Sequence, residues 1–385
     1  MPQYLPGLLM LLMMVACSDQ DPQPALPPYD NSWISRPQSE WPQIAMINEV
    51  WYRDSQRYIH PSFDYAGTGF LIDTGTDTLA ATAKHVLWIA RHDAMRAVDP
   101  GPWLTKWIMH PKGNVADSVV IGQLMNADTT ELLQGRNATI QERDWIVFTT
   151  TSVSPNIQPL RPAFRQVVPG ERLFFASCPY QDSTCVTGLG VVRSAQGNRI
   201  VFSKEDSTFN ASGASGSPLL DSAGYLIGIF GGTSVDPADG GDAFYGISTH
   251  YLRKVLERDP DLNEALIPID GHFLRRVSEV GVEAAIMQTE AIVADPQSYF
   301  RYSMSPEAFI GLAADYLDQG QPEFGIRVMR VAMQVHPNFS RSHSMLGVLF
   351  SKTGQTDSAR TAFNQALALW PENEEAKGGL SALNR

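Results

Sequence analysis

Short apolar or alternating runs recur between Ile44 and Ile247, separated by Gly, Pro, Asn and Asp. The runs Ile44–Tyr52, Gly69–Ile72, Thr78–Ala83, Trp103–Met109, Val119–Leu124 and Trp145–Thr149 read as strands. So do Arg172–Ala176, Gly188–Arg193, Arg199–Ser203, Pro218–Leu220, Leu226–Phe230 and Ala243–Ile247. About twelve short strands with no long helix among them is the count for two six-stranded barrels. Tyr251–Glu257 reads as a helix closing that unit. Asp259-Pro260-Asp261 breaks it, and Phe273–Ala294 again looks helical. Beyond residue 300 the pattern repeats. Gly320 and Gly354 stand 34 positions apart, as do Pro337 and Pro371. The same offset relates Leu312 to Leu346, Ala313 to Gly347, Tyr316 to Phe350, Gly325 to Ala359, Met329 to Phe363 and Ala332 to Ala366. The pattern divides the chain into a barrel unit over 41–258, a helical connector over 259–300 and a helical-repeat unit over 301–385. The barrel and repeat units, each with its own periodic core, are expected to fold independently.

Composition narrows the partners. With 385 residues the chain is long enough for two domains, and a net charge of −12 opposes binding to nucleic acid through phosphates. The same charge opposes electrostatic attachment to an anionic membrane. Leu8–Ala16 is an apolar run too short to span a bilayer, ending in Met14-Val15-Ala16-Cys17. This resembles a bacterial lipoprotein signal over 1–16, which implies cleavage before Cys17 and its lipidation. The segment departs from that form in lacking Lys or Arg, and a plain secretory signal is the alternative. Residues 17–40 then form a flexible tether rich in Pro, Asp, Gln and Ser. The implied location is the cell envelope, lipid-anchored and facing the periplasm or outer membrane, with secretion as the alternative. Cys178 and Cys185 bracket a turn-like loop and are expected to pair in an oxidising compartment; two free buried thiols are the alternative. No Cys/His spacing suggests a metal site, and no cofactor is called for.

Three segments carry the candidate chemistry. His85 ends the strand-like run Leu79–Val86, Asp144 opens Asp144-Trp145-Ile146-Val147-Phe148, and Ser215 lies in Gly213-Ala214-Ser215-Gly216-Ser217-Pro218. A serine hydroxyl needs a base within hydrogen-bond reach, and histidine has the right intrinsic pKa. The base needs a buried carboxylate to hold its tautomer. The other seven histidines, His60, His92, His110, His250, His272, His336 and His343, lack this context and read as surface or packing residues.

The order His, Asp, Ser with these flanks resembles the chymotrypsin-like (trypsin-fold) serine proteases, especially bacterial glutamyl-endopeptidase and HtrA-type relatives. The resemblance implies catalytic roles for His85, Asp144 and Ser215, and an oxyanion hole made by the amides of Gly213 and Ser215. It places Phe209, Gly231 and Gly232 in the pocket for the side chain before the cut. Phe209 cannot pair with Lys or Arg, and Ile227–Gly232 carries no histidine to receive a carboxylate. A small or apolar side chain is therefore expected. Two departures stand out. Lys84 replaces a small residue before His85 and is expected to point to solvent. Ala214 replaces an Asp or Asn, so activation by insertion of a new N-terminus is not expected.

The 34-residue period resembles tetratricopeptide (TPR) repeats, over Pro306–Pro337 and Ser340–Pro371 with Glu374–Leu383 as a cap. The combined expectation is an exported serine endopeptidase acting on protein or peptide substrates. Its repeat module would recruit a protein partner, and its contact with membrane would be through the lipid alone. The alternative is a catalytically silent binding scaffold.

Overall fold

Phe70, Leu71, Ile72, Ala80 and Ala81 are all fully buried on neighbouring strands, so this part of the sheet is covered on both faces. Closing a sheet on itself removes its edges and gives such residues an interior. A computed structural model of the chain describes residues 28–53, 65–92, 94–132, 139, 142–205, 209–235, 242–337 and 339–383. The signal run, Cys17 and the first part of the expected tether lie outside the described residues, as does His60.

In chain order the first strands are β1 (Met46–Tyr52), β2 (Thr68–Asp73), β3 (Thr78–Thr82), β4 (Ala97–Val98), β5 (Leu104–His110), β6 (Val119–Leu124), β7 (Asp128–Leu132) and β8 (Ile146–Ser152). They are followed by β9 (Arg172–Ser177), β10 (Val186–Gln196), β11 (Arg199–Lys204), β12 (Pro218–Asp221), β13 (Leu226–Val235) and β14 (Asp242–Ser248). One closed barrel has the order β1-β2-β3-β8-β6-β5, and the other β10-β11-β14-β13-β12-β9. All twelve expected strands are barrel strands. The short β4–β7 ribbon stands outside both barrels.

The second barrel is filled largely by phenylalanine. Phe175, Phe202, Phe230 and Phe244 are buried with ring centroids 5.3–6.4 Å apart. The first barrel mixes aliphatic, methionine and aromatic side chains, with Trp107 packed on Phe148 at 4.9 Å.

Helix α1 (Lys84–Ala90) follows β3 directly. His85 is therefore in the first turn of a helix, where an apolar alternating run had pointed to a strand end. Helix α2 (His250–Glu257) closes the barrels with Tyr251, Leu252 and Val255 buried.

The expected helix over Phe273–Ala294 is broken at Gly281 into α3 (Ile269–Val280) and α4 (Val282–Ala294). Preceding and following this hairpin, β15 (Ile267–Pro268) and β16 (Tyr302–Ser303) pair in parallel. Then come α5 (Pro306–Asp318), α6 (Pro322–Val335), α7 (Ser340–Lys352), α8 (Thr356–Leu369) and α9 (Glu374–Leu383). The starts of α5 and α7, and of α6 and α8, are 34 residues apart, matching the sequence period. Ile269, Phe273 and Ile286 of the hairpin share one core with Phe309, Leu312, Met329 and Leu349.

Residues 29–40, expected within the flexible tether, are docked instead. Tyr29 donates to Gly224 O at 3.2 Å and Asn31 to Ala223 O at 2.9 Å. Trp33 is buried and packs on Trp41, which packs in turn on Phe174. The aromatic content of this Pro-rich stretch gives it enough apolar surface to bind the barrel, which a count of polar residues hides.

Candidate active site

Asp144 and His85 meet. Asp144 is fully buried at the start of the β8 segment, and its Oδ2 lies 2.8 Å from His85 Nδ1. Its Oδ1 accepts the backbone N–H of His85 at 3.0 Å. One carboxylate thus fixes both the ring and the main chain of the histidine. Burial opposes charge on the imidazole, but the Asp144 carboxylate and its hydrogen bond outweigh it, holding His85 above the ordinary histidine range.

The Ser215 loop is stitched to the first barrel beside this pair. Thr68 N donates to Ser215 O at 2.8 Å, and Thr68 Oγ1 donates to Gly213 O at 2.9 Å. Thr68 Oγ1 also accepts from Cys178 N at 3.0 Å, and Thr82 Oγ1 donates to Thr68 O at 2.7 Å. The approach is close enough to require glycine on both sides. A methyl group on Gly67 would meet Ser215 O at 2.7 Å and Val86 Cγ2 at 2.9 Å. One on Gly216 would meet Thr68 O and Thr82 Oγ1 at 2.3 Å, and Ala83 N at 3.0 Å. Gly67 and Gly216 also have positive φ, +64° and +86°. These contacts set the serine segment against Thr82 and Ala83, just before His85 in the chain, and Gly67 against Val86 just after it.

Within the loop, Ala214 N donates to Ala211 O, Gly216 N to Phe230 O and Ser217 N to Ala214 O. Among the described residues the amides of Gly213 and Ser215 make no backbone hydrogen bond. Ala214 is buried in the phenylalanine core.

Phe209 packs edge-on against Phe175 at 4.7 Å and against Phe244 at 5.7 Å. Gly231 and Gly232 lie against the Tyr245 ring, where a methyl group would approach to 2.3 and 3.2 Å. Cys178 and Cys185 form a disulfide with sulfurs 2.02 Å apart. No group of three or more metal-ligating side chains occurs among the described residues.

Lys84 does not point to solvent. It is 1% exposed, with Nζ 2.9 and 3.1 Å from the Glu131 carboxylate and 2.9 Å from Thr139 Oγ1. A short helix after β3 turns the residue before His85 inward, where only a paired ammonium is tolerated. Arg143, the residue before Asp144, is also buried. Lys84 and Arg143 both lie by the Tyr251 ring, at 5.5 and 5.8 Å. Glu142 completes this buried group. Burial pushes its carboxyl up to about 7, against hydrogen bonds from its own amide and that of Met304 and the nearby charges of Arg143 and Lys84. Sequence reasoning missed Thr68, Thr82, Glu131, Glu142 and Arg143. Only Thr68 carried a local signal, as the centre of Gly67-Thr68-Gly69.

Residues 67–229 match the family model described as a trypsin-like peptidase domain. No curated protein sequence matches the chain. Among solved structures, an inactive serine-to-alanine mutant form of Rv3671c from M. tuberculosis H37Rv is 12% identical, with 55% of this chain and 85% of that chain covered and a TM-score of 0.34. The HtrA-type protease AlgW with a decapeptide is 16% identical, with 60% and 68% covered and a TM-score of 0.36. The two closed six-stranded barrels and the matched domain support a trypsin-fold serine peptidase.

Proposed function

We propose that the chain is an exported serine endopeptidase using His85, Asp144 and Ser215. Ser215 Oγ attacks a peptide carbonyl while His85 Nε2 takes its proton and then delivers it to the leaving amine. Asp144 holds the Nδ1–H tautomer and stabilises the imidazolium. The amides of Gly213 and Ser215 receive the oxyanion. The observation that carries this reading is the buried Asp144 carboxylate gripping both the ring and the backbone of His85, on the barrel whose strand β2 is hydrogen-bonded to the Ser215 loop. The free amides of Gly213 and Ser215 among the described residues support the oxyanion assignment.

Phe209, Gly231 and Gly232 line the pocket for the residue before the cut, and its apolar walls favour a small or apolar side chain. The hairpins α5–α6 and α7–α8 are TPR repeats that recruit a protein partner or substrate; their 34-residue spacing supports this. Cys17 carries the lipid that anchors the enzyme in the cell envelope. Labelling of the full chain by a fluorophosphonate tests the central claim. Modification at Ser215 is expected, and folded protein that resists the probe overturns it.

A further inference from the structure

The residues immediately before His85 and Asp144 are both buried cations, but they are held in different ways. Lys84 is satisfied by Glu131 of β7 and by Thr139. Arg143 is held instead by main-chain carbonyls. Its Nη1 donates to Leu262 O at 3.1 Å and more weakly to Glu264 O at 3.4 Å. Its Nη2 donates to Phe300 O at 2.6 Å and to Glu264 O at 3.3 Å. All three carbonyls belong to the connector beyond α2. A planar guanidinium suits several fixed carbonyls at once, which an ammonium on a flexible stem does not.

The turn that carries Arg143 is tight. Arg143 N donates to Thr139 O at 2.6 Å, and Trp145 N to Arg143 O at 2.7 Å. Asn198 Nδ2 donates to Glu142 O, and Trp145 Nε1 donates to Ser248 O at 3.0 Å. Little slack remains between the guanidinium and the carboxylate of the next residue. Where the connector carbonyls stand therefore sets where Asp144 stands against His85.

We propose that Arg143 is a positioning residue for Asp144, held by the connector carbonyls of Leu262, Glu264 and Phe300. The proposal rests on the reading of His85, Asp144 and Ser215 as a catalytic triad. It makes the segment beyond the barrels part of the catalytic apparatus, and gives the helical region a physical route to the histidine.

The test uses the full chain and the variants Arg143→Met and Arg143→Lys. Fluorophosphonate labelling of Ser215 in the unsubstituted protein comes first; without it the triad reading fails, and this proposal falls with it. Each variant is then melted, and kcat, KM and the pH profile are measured on a small ester. Arg143→Met is expected to melt cooperatively and to lose about tenfold to a hundredfold in kcat with KM unchanged, the scale of a small misplacement. Its acid limb should move to lower pH, because Asp144 then holds the imidazolium less well. Arg143→Lys should recover part of both losses. A folded Arg143→Met protein with unchanged kcat and acid limb overturns the proposal. So does failure of both variants to fold, which would make Arg143 a structural clamp.

Discussion

The serine side and the histidine side of the site are fastened by different chemistry. At the seam between the barrels, the Ser215 loop is joined to β2 by the amide and hydroxyl of Thr68, which Thr82 of β3 and the amide of Cys178 brace. None of these titrates. On the other side, His85 and Asp144 are backed by Lys84, Glu131, Glu142 and Arg143, all buried. The seam is built from uncharged hydrogen bonds and is indifferent to pH. The charged junction depends on burial and, through Arg143, on carbonyls more than a hundred residues along the chain. Perturbing the two sides should therefore give effects of different kinds.

The largest expected effect is at the proposed nucleophile. Ser215→Ala should lower turnover by about 10⁶-fold, the scale seen when other triads lose their serine, without changing the melting temperature. Turnover of casein at the unsubstituted rate would remove the serine side from the chemistry altogether. Next is Asp144, the partner of the proposed base. Asp144→Asn should lower kcat by about 10⁴-fold. Its pH profile is the sharper readout. His85 must be neutral to accept a proton, and Asp144 holds its pKa above the ordinary value, so activity in the unsubstituted protein should rise with pH along a limb above about 6.5. With asparagine only burial remains, which lowers the pKa, so the limb should move to acid. A limb that stays in place would mean that Asp144 does not govern His85.

A chain ending at Arg258 tests how far the junction reaches. It lacks the three carbonyls that hold Arg143 and the Phe300 ring, which lies 6.1 Å from Tyr251. Losing one buried aromatic of this kind costs roughly 1.5–3 kcal/mol, and water that replaces the carbonyls does not fix Asp144. The truncated barrel should melt lower than the full chain and hydrolyse a small ester more slowly. This reverses the expectation of independent folding drawn from periodicity alone. Equal melting and equal rates would restore it.

The barrels were legible because each strand announces itself locally. Alternation of the kind in Met46–Tyr52 needs nothing beyond neighbouring residues to be seen. The helical spacing was legible for the same reason, since small and aromatic positions recur at a fixed offset. The candidate nucleophile, base and carboxylate stood out through their flanks. What stayed hidden is pairing across long stretches. Lys84 meets Glu131 across 47 residues, and Arg143 meets Phe300 across 157. Nothing beside Lys84 tells a solvent-facing lysine from a buried one. The docking of Tyr29 on Gly224 was hidden in the same way, behind a run of prolines and polar residues.

Glu142→Gln probes the charged junction without removing volume. The Glu142 carboxyl is raised from 4.5 to about 7 by burial, against the hydrogen bonds and the charges of Arg143 and Lys84, and it also faces Tyr299. A carboxyl whose folded pKa is raised binds its proton more tightly in the native state. Its contribution to stability is therefore complete below about 4.5 and is lost as pH rises through about 7. Glutamine stays neutral, so the variant should gain on the unsubstituted protein as pH rises from 5 to 8, by roughly 3 kcal/mol at most at about 1.4 kcal/mol per unit. Denaturant melts across that range decide it. A difference that is constant with pH would show that Glu142 binds its proton equally in the folded and unfolded states, so that burial does not raise it.

Thr68→Val is the matching test of the seam and the smallest effect expected. Valine keeps the branched shape but removes the oxygen that donates to Gly213 O and accepts from Cys178 N. Both partners are buried, and leaving a buried polar group unsatisfied costs about 1–3 kcal/mol. The loop bearing Gly213 and Ser215 would lose one of its ties to β2 while keeping the main-chain bond from Thr68 N. A drop of a few fold in kcat should accompany the lost stability. The decisive feature is the pH dependence. No ionisable group takes part in these two hydrogen bonds, so the loss in stability should be the same at pH 5 and at pH 8, unlike that of Glu142→Gln. Parallel melting curves for Thr68→Val and the unsubstituted protein across that range would keep the two sides of the site distinct. A loss that grows or shrinks with pH would mean that the seam and the charged junction form one coupled unit, and that the contrast between them does not hold.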